Sequence, residues 1–322
     1  MERRGRLRLV VCDGLLMEPR TETENVMMYF NKALFAAAIL ALAMPLGAAA
    51  QENDSAGGHD RSRGELSPGT EAPTRDALMQ AIESGSPERL ATLLEYGERV
   101  ECHACVPMLE RQLLESDDAL VREMSAWWLR RRPFGFAAVM REIRTVLATD
   151  ADPVRRARAA EAIGEFMDPH GVPHLRDALA DTDARVREAA VRGLGRINSP
   201  GGNEGIVQAF TDADANVREA AVGQVLYVNF FRDHDALIGL LADDTLEVRR
   251  RAALALGTFR VAEAVPALDA MLRSDDEMGR QAAAWALGRI GSSEARAALR
   301  SITETDETSP RVWDAIEVAR NM

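Results

Sequence analysis

"DARVREAAVRGLG", residues 183–195, decides the fold because the chain repeats it. "DPVRRARAAEAIG" stands at 152–164, "DANVREAAVGQVL" at 214–226, "TLEVRRRAALALG" at 245–257 and "DEMGRQAAAWALG" at 276–288. The five copies align without a gap and place Arg156, Arg187, Arg218, Arg249 and Arg280 at intervals of 31 residues. Three residues after each arginine comes an alanine (Ala159, Ala190, Ala221, Ala252, Ala283), and four further on Ile163, Leu194, Val225, Leu256 or Leu287. Four before it stands Asp152, Asp183, Asp214 or Asp276, with Thr245 the one departure. An earlier copy, "DALVREMSAWWLR", carries Asp118, Arg122 and Leu129, 34 residues upstream of the next. A fixed period of this length is the signature of a stacked repeat, each unit burying its apolar side against its neighbours.

Each position has a mechanical reading. The aspartate begins a helix, where its carboxylate accepts orphan N–H groups and meets the positive end of the dipole. The apolar residues four apart form one helical stripe, and the recurrent alanine lets a neighbouring helix approach. Upstream of each copy lies a second amphipathic stretch, such as "GVPHLRDALAD" and "AEAVPALDAML", with Pro107, Pro173 and Pro266 in the first turn of three of them, where no N–H is needed. Each unit is therefore helix A, an Asp-rich turn, helix B and often a Gly-containing connection.

These 31-residue helix pairs with D-x-x-x-R-x-x-A-x-x-x-L-G resemble HEAT repeats of the short type also seen in phycobilisome lyases. The resemblance covers residues 101 to 300 in six units and implies an all-α fold, a right-handed α-solenoid of stacked antiparallel helix pairs. It also implies a side-chain ladder in which Asp118, Asp152, Asp183, Asp214 and Asp276 pair with Arg122, Arg156, Arg187, Arg218, Arg249 and Arg280. Residues 73–100 read as an N-terminal capping hairpin without the Asp/Arg pattern, as a terminal unit should be. The solenoid then runs over 101–322 and ends on a capping helix with Ser309 as N-cap and Pro310 first in the helix. No strand signal stands out.

The first fifty residues read as an address. Residues 1–27 fit a mis-called start or a leader, and 28–50 a signal peptide: Lys32, an apolar run, the breakers Pro45 and Gly47, then Ala48-Ala49-Ala50. The expected product, cut after Ala50, is periplasmic or secreted, without a membrane span. Residues 51–72, polar and rich in Gly and Ser, read as a disordered tether. The formal net charge of −12 argues against nucleic acid, whose phosphates call for clustered cations. The partner expected is a protein or peptide of the cell envelope.

Chemistry has one candidate carrier, Cys102 and Cys105 in "VECHACVP". Haem attachment would need a histidine after the second cysteine, and zinc two further ligands. His170, His174 and His234 are scattered over different repeats, so no metal or cofactor is expected. An oxidising compartment closes two cysteines three apart. The bond is then either a structural clasp tying the N-terminal cap to the first full repeat or, at a helix N-terminus that lowers a thiol's pKa, a site of thiol-disulfide exchange. Phosphate loops, Ser/His/Asp sets and H-E-x-x-H are missing, so the leading reading is no catalysis.

The binding candidates break the repeat's own rules. Counting the residue before each ladder arginine as zero, position 6 lies opposite the core stripe. Trp127 and Trp285 occupy it, as do Glu161, Arg192, Gly223 and Leu254. Two tryptophans there face the inner surface toward a partner or pack against adjacent repeats. Arg192 shares that surface, and Arg131 belongs to a basic run, 130–132, able to receive an acidic partner. Trp128 reads as filling the irregular first junction. Tyr227, Phe230 and Phe231 seal a joint or form an apolar ridge. The function expected is a scaffold binding its partner on the concave surface; the alternative is a thiol-disulfide exchange protein on a helical body.

Overall fold

The structure is a computed structural model that describes residues 72–322 except 133, 134, 230, 275 and 308. The expected leader, signal segment and almost all of the tether lie outside the described residues, as does Phe230. Among the described residues every regular element is helical. The helices pair as α1 (Arg75–Ser84) with α2 (Pro87–Tyr96), α3 (Cys105–Glu115) with α4 (Ala119–Leu129), α5 (Phe136–Thr149) with α6 (Pro153–Phe166), and α7 (Val172–Ala178) with α8 (Ala184–Ile197). They continue as α9 (Pro200–Gln208) with α10 (Ala215–Val225), α11 (His234–Gly239) with α12 (Leu246–Phe259), α13 (Val265–Leu272) with α14 (Glu277–Ile290), and α15 (Ser293–Ser301) with α16 (Pro310–Arg320). The B helices, α2 through α16, pack each on the next in one layer, and each A helix packs on its own B helix. That is an α-solenoid.

The repeated residues account for this order. Asp118, Asp152, Asp183, Asp214 and Asp276 are N-caps whose carboxylates accept the N–H of Val121, Val154, Arg185, Asn216 and Met278. Thr245 makes no such capping bond. The five recurrent alanines are fully buried, as are Ile163, Leu194, Val225, Leu256 and Leu287. The expected C-terminal capping helix is the second half of a hairpin that α15 begins. In α16, Trp313 takes the ladder-arginine position and Arg320 replaces the last core aliphatic. The Arg320 guanidinium donates to the carbonyls of Leu299 and Ile302 at 2.8 and 2.6 Å, so the stack closes on a polar group rather than an open apolar seam.

The glycines of the motif differ from expectation. They lie inside the B helices, not in connections, and Gly164, Gly257 and Gly288 let B helices touch backbone to backbone. A Cβ on Gly164 would lie 2.6 Å from the Gly193 Cα, and one on Gly257 2.7 Å from the Ala286 Cα. Neither backbone can yield without moving its helix. Gly164→Ala is therefore expected to lose about 1–3 kcal/mol from overpacking, although alanine is the better helix former by about 1 kcal/mol. Urea denaturation checks it; a variant as stable as the wild type would mean the helices are free to slide apart.

Candidate partner-binding face

The ladder fixes how the B helices present their outer surface. Its bidentate rungs are not the capping aspartates, and of these Asp276 alone is approached by a ladder arginine of the preceding repeat among the described residues. Arg156 donates to both oxygens of Asp181 at 2.7 Å, Arg187 to Asp212 at 2.7 and 2.8 Å, and Arg218 to Asp243 at 2.7 and 2.9 Å. Each acceptor stands two residues before the next N-cap and also accepts that residue's N–H. The capping carboxylates are already turned onto their own helix, whereas the residue two before the cap points back along the stack. Arginine hydrogen bonds hold the Asp181 and Asp212 carboxyls below the usual range, against the opposing effect of burial. Each arginine's remaining arm donates to two carbonyls of its own A–B turn, as Arg187 does to Asp181 and Thr182.

The ends of the ladder vary. Arg280 reaches Glu307 at 2.8 and 3.0 Å. Arg249 has Ser274 at the position where its neighbours have aspartate, and among the described residues its ion pair is a 3.6 Å approach to the capping Asp276. Arg122 crosses to Glu161 at 2.8 Å, because at the longer first junction Asp150 is taken by Arg155. The Thr245 departure is absorbed: Arg218 also binds Asp244, and the Thr245 hydroxyl at 3.3 Å.

With these arginines spent on structure, the face itself is made by the outward positions of the B helices. Trp127 is half-buried against the core with the Arg131 guanidinium 4.0 Å above its ring, and Arg131 is tied to Glu98 at 2.8 Å. Trp285 is likewise half-buried and packs over Gly257. The two tryptophans are therefore anchored to the layer rather than standing free of it. Trp128 is fully buried and donates its indole N–H to the Gly97 carbonyl at 3.4 Å. Phe231 is no ridge: it is buried among Phe210, Phe259 and His234. Tyr227 remains outward, 38% exposed.

Two depressions lie on this face. One, of 210 Å³, opens between α4, α6 and α8 over Glu123, Glu161, Glu165, Arg122, Arg158 and Arg196. Burial pushes the Glu165 carboxyl up, opposed by Arg196 at 2.7 Å and reinforced by Glu123 and Glu161. The other, of 320 Å³, opens between α8, α10 and α12, where Gly223 leaves position 6 without a side chain. Arg192, Tyr227 and Arg251 stand around it together with Glu188 and Glu219, the carboxylates paired with the two arginines. The structure thus brings Arg192 and Tyr227 together and leaves Trp127 and Trp285 on other repeats. Arg251 and the Gly223 gap are the parts sequence reading missed; the signal present in the sequence was a glycine where five other copies carry side chains.

Cys102 and Cys105 are joined as a disulfide, their Cα atoms 5.3 Å apart. Cys105 is the first residue of α3, and both sulfur-bearing residues are buried, at 4% and 0% exposure. The bond spans its own turn and does not reach the N-terminal hairpin. No His, Cys, Asp and Glu grouping suited to a metal occurs among the described residues, and no described helix is long and apolar enough to cross a membrane.

The family model for HEAT repeats matches residues 140–226 and 234–320, more than half of the chain. No curated protein matches the sequence. Among solved structures, YibA of Escherichia coli is similar at a TM-score of 0.50 and 16% identity, over 78% of this chain and 93% of that one. A Kap121p mutant is similar at 0.52 and 15%, over 76% of this chain and 33% of that one. The complex of CpcE and CpcF of phycocyanin lyase from Nostoc sp. is similar at 0.35 and 21%, over 66% and 94%. At these identities the likeness is one of fold.

Proposed function

The chain belongs to the HEAT-repeat family, and from that premise we propose that it is an exported scaffold that binds a protein or peptide partner on the outward face of its B helices. The observation that carries this reading is the depression at Gly223, rimmed by an exposed tyrosine and two arginines on three successive repeats. Tyrosine and arginine are among the residues enriched in binding hot spots. Repetition builds such a face as a continuous surface whose shape is set by stacking. Export rests on the 28–50 segment and on the compartment a stable Cys102–Cys105 bond requires. The test is capture from an envelope extract of the source organism. Substituting Tyr227 and Arg192 together by alanine should abolish retention of a partner that Glu204→Ala, on helix α9, still retains. Equal retention by all three proteins would end the proposal.

Burial of both sulfurs favours a structural bond, local to the start of α3 and not a tie to the N-terminal hairpin, over exchange, since a working disulfide must be reached by an attacking thiolate. Cys102→Ser with Cys105→Ser is accordingly expected to leave partner capture intact and to cost stability modestly, the closed loop being short. Loss of capture by a folded double variant would move thiol exchange to first place.

A further inference from the structure

On helix α8 two guanidinium groups stand outside the carboxylates that hold them, in a chain whose formal net charge is −12. The Arg192 side chain is 66% exposed over Glu188 at 27%, and that of Arg196 is 48% exposed over Glu165 at 16%. Arg251, held between Glu219 at 2.9 Å and Glu247 at 3.1 Å, is level with its partners. At the α4–α6 junction the order reverses, with Arg122 beneath Glu161. Of the outward guanidiniums, Arg192 stands at the Gly223 gap and Arg196 at the other depression.

We propose that the Gly223 depression is a carboxylate-accepting pocket and that the partner presents an acidic, extended peptide segment to it. This rests on the scaffold reading and names the chemistry of what the scaffold holds. Arg192 is tethered to Glu188 one helical turn away, the kind of exposed pair that contributes little and is readily exchanged for another carboxylate. Arg251 keeps Glu247 through Nε and Glu219 through Nη2, which leaves the N–H groups of Nη1 for a ligand. Its Nη1 lies 3.4 Å from where a Gly223 Cβ would be, so the guanidinium forms the wall of the gap. A partner carboxylate entering there meets two guanidiniums with charge-assisted hydrogen bonds, while the Tyr227 ring offers a flat apolar side to the adjoining peptide backbone.

Gly223→Leu tests this without threatening the fold. Its Cβ meets nothing but the end of a flexible arginine, and leucine is a far better helix former than glycine. The probes are a fluorescein-labelled unstructured peptide of Glu, Ser and Gly and its Lys counterpart, titrated by anisotropy into the full chain. The acidic peptide is expected to bind at least about tenfold more tightly than the basic one and to weaken as salt rises. Gly223→Leu and Arg192→Glu should each weaken it about tenfold or more, a loss equivalent to about 1.4 kcal/mol, with the melting temperature of Gly223→Leu about 2–4 °C higher. Equal or tighter binding of the Lys peptide, or undiminished affinity in Gly223→Leu, overturns the proposal. A partner captured through Tyr227 and Arg192 while the acidic peptide fails to bind overturns the pocket's chemistry and leaves the scaffold reading standing. Failure of both capture and peptide binding removes both.

Discussion

Replacing Arg218 by alanine is expected to lower the stability of the repeat array by about 3–5 kcal/mol, the range for removing one partner of a buried ion pair. Arg218 is 9% exposed and holds Asp243 with two hydrogen bonds, Asp244 and Thr245 with further ones, and the carbonyls of Asp212 and Ala213 with its remaining arm. Without it the Asp243 carboxylate, 7% exposed, is left charged between two repeats. Arg249→Ala is the control. Among the described residues its rung is a 3.6 Å approach to Asp276 beside two carbonyl contacts, so about 1–2 kcal/mol is expected. Because neighbouring repeats are coupled chiefly through their shared interface, the Arg218 variant should also unfold over a broader range of urea than the wild type. Equal losses from the two substitutions would mean that the ladder carries no stability of its own.

The same rung has a pH signature. Burial works to raise the Asp243 carboxyl, but hydrogen bonds from Arg218 and from the Thr245 N–H outweigh it and hold it below the ordinary value. A depressed carboxyl contributes stability above its unfolded value, about 3.9, and loses it as pH falls through the folded one. The difference between wild type and Arg218→Ala should therefore be full at neutral pH and shrink below about pH 4. A difference unchanged down to pH 3 would place the energy of the rung in packing rather than charge.

Trp128→Ala should cost a similar amount, about 3–5 kcal/mol, but in a different place. The ring is fully buried at the first junction, bonded to Gly97 through its N–H and covered by the Arg132 guanidinium 3.7 Å away. It stands where most copies have alanine or glycine. Hydrogen exchange measured by mass spectrometry should show loss of protection concentrated in α1 and α2, with α12 and α14 unchanged, since each repeat touches only its neighbours. Trp127→Ala, which removes a half-buried ring under Arg131, should leave that hairpin's protection nearly intact. A uniform loss across all repeats would show that the array unfolds as one unit.

Sequence by itself determined the repeat, the helices and their caps, and the apolar stripe. These depend on residues within one helical turn of each other or on a period that any copy reveals. The capping aspartates could be read locally because the N–H groups they accept are two or three residues away. What joins one repeat to the next was decided only in the tertiary structure. Asp181, Asp212 and Asp243 recur at the same 31-residue period as the caps, yet no local rule says which of two neighbouring acids faces the arginine of the preceding helix. The same holds for the motif glycines, which look like connections until a second backbone lies against them. It holds most of all for the candidate face. Gly223, Arg192 and Arg251 belong to three helices and Tyr227 to the turn that follows α10, and it is the stacking that places them around one depression.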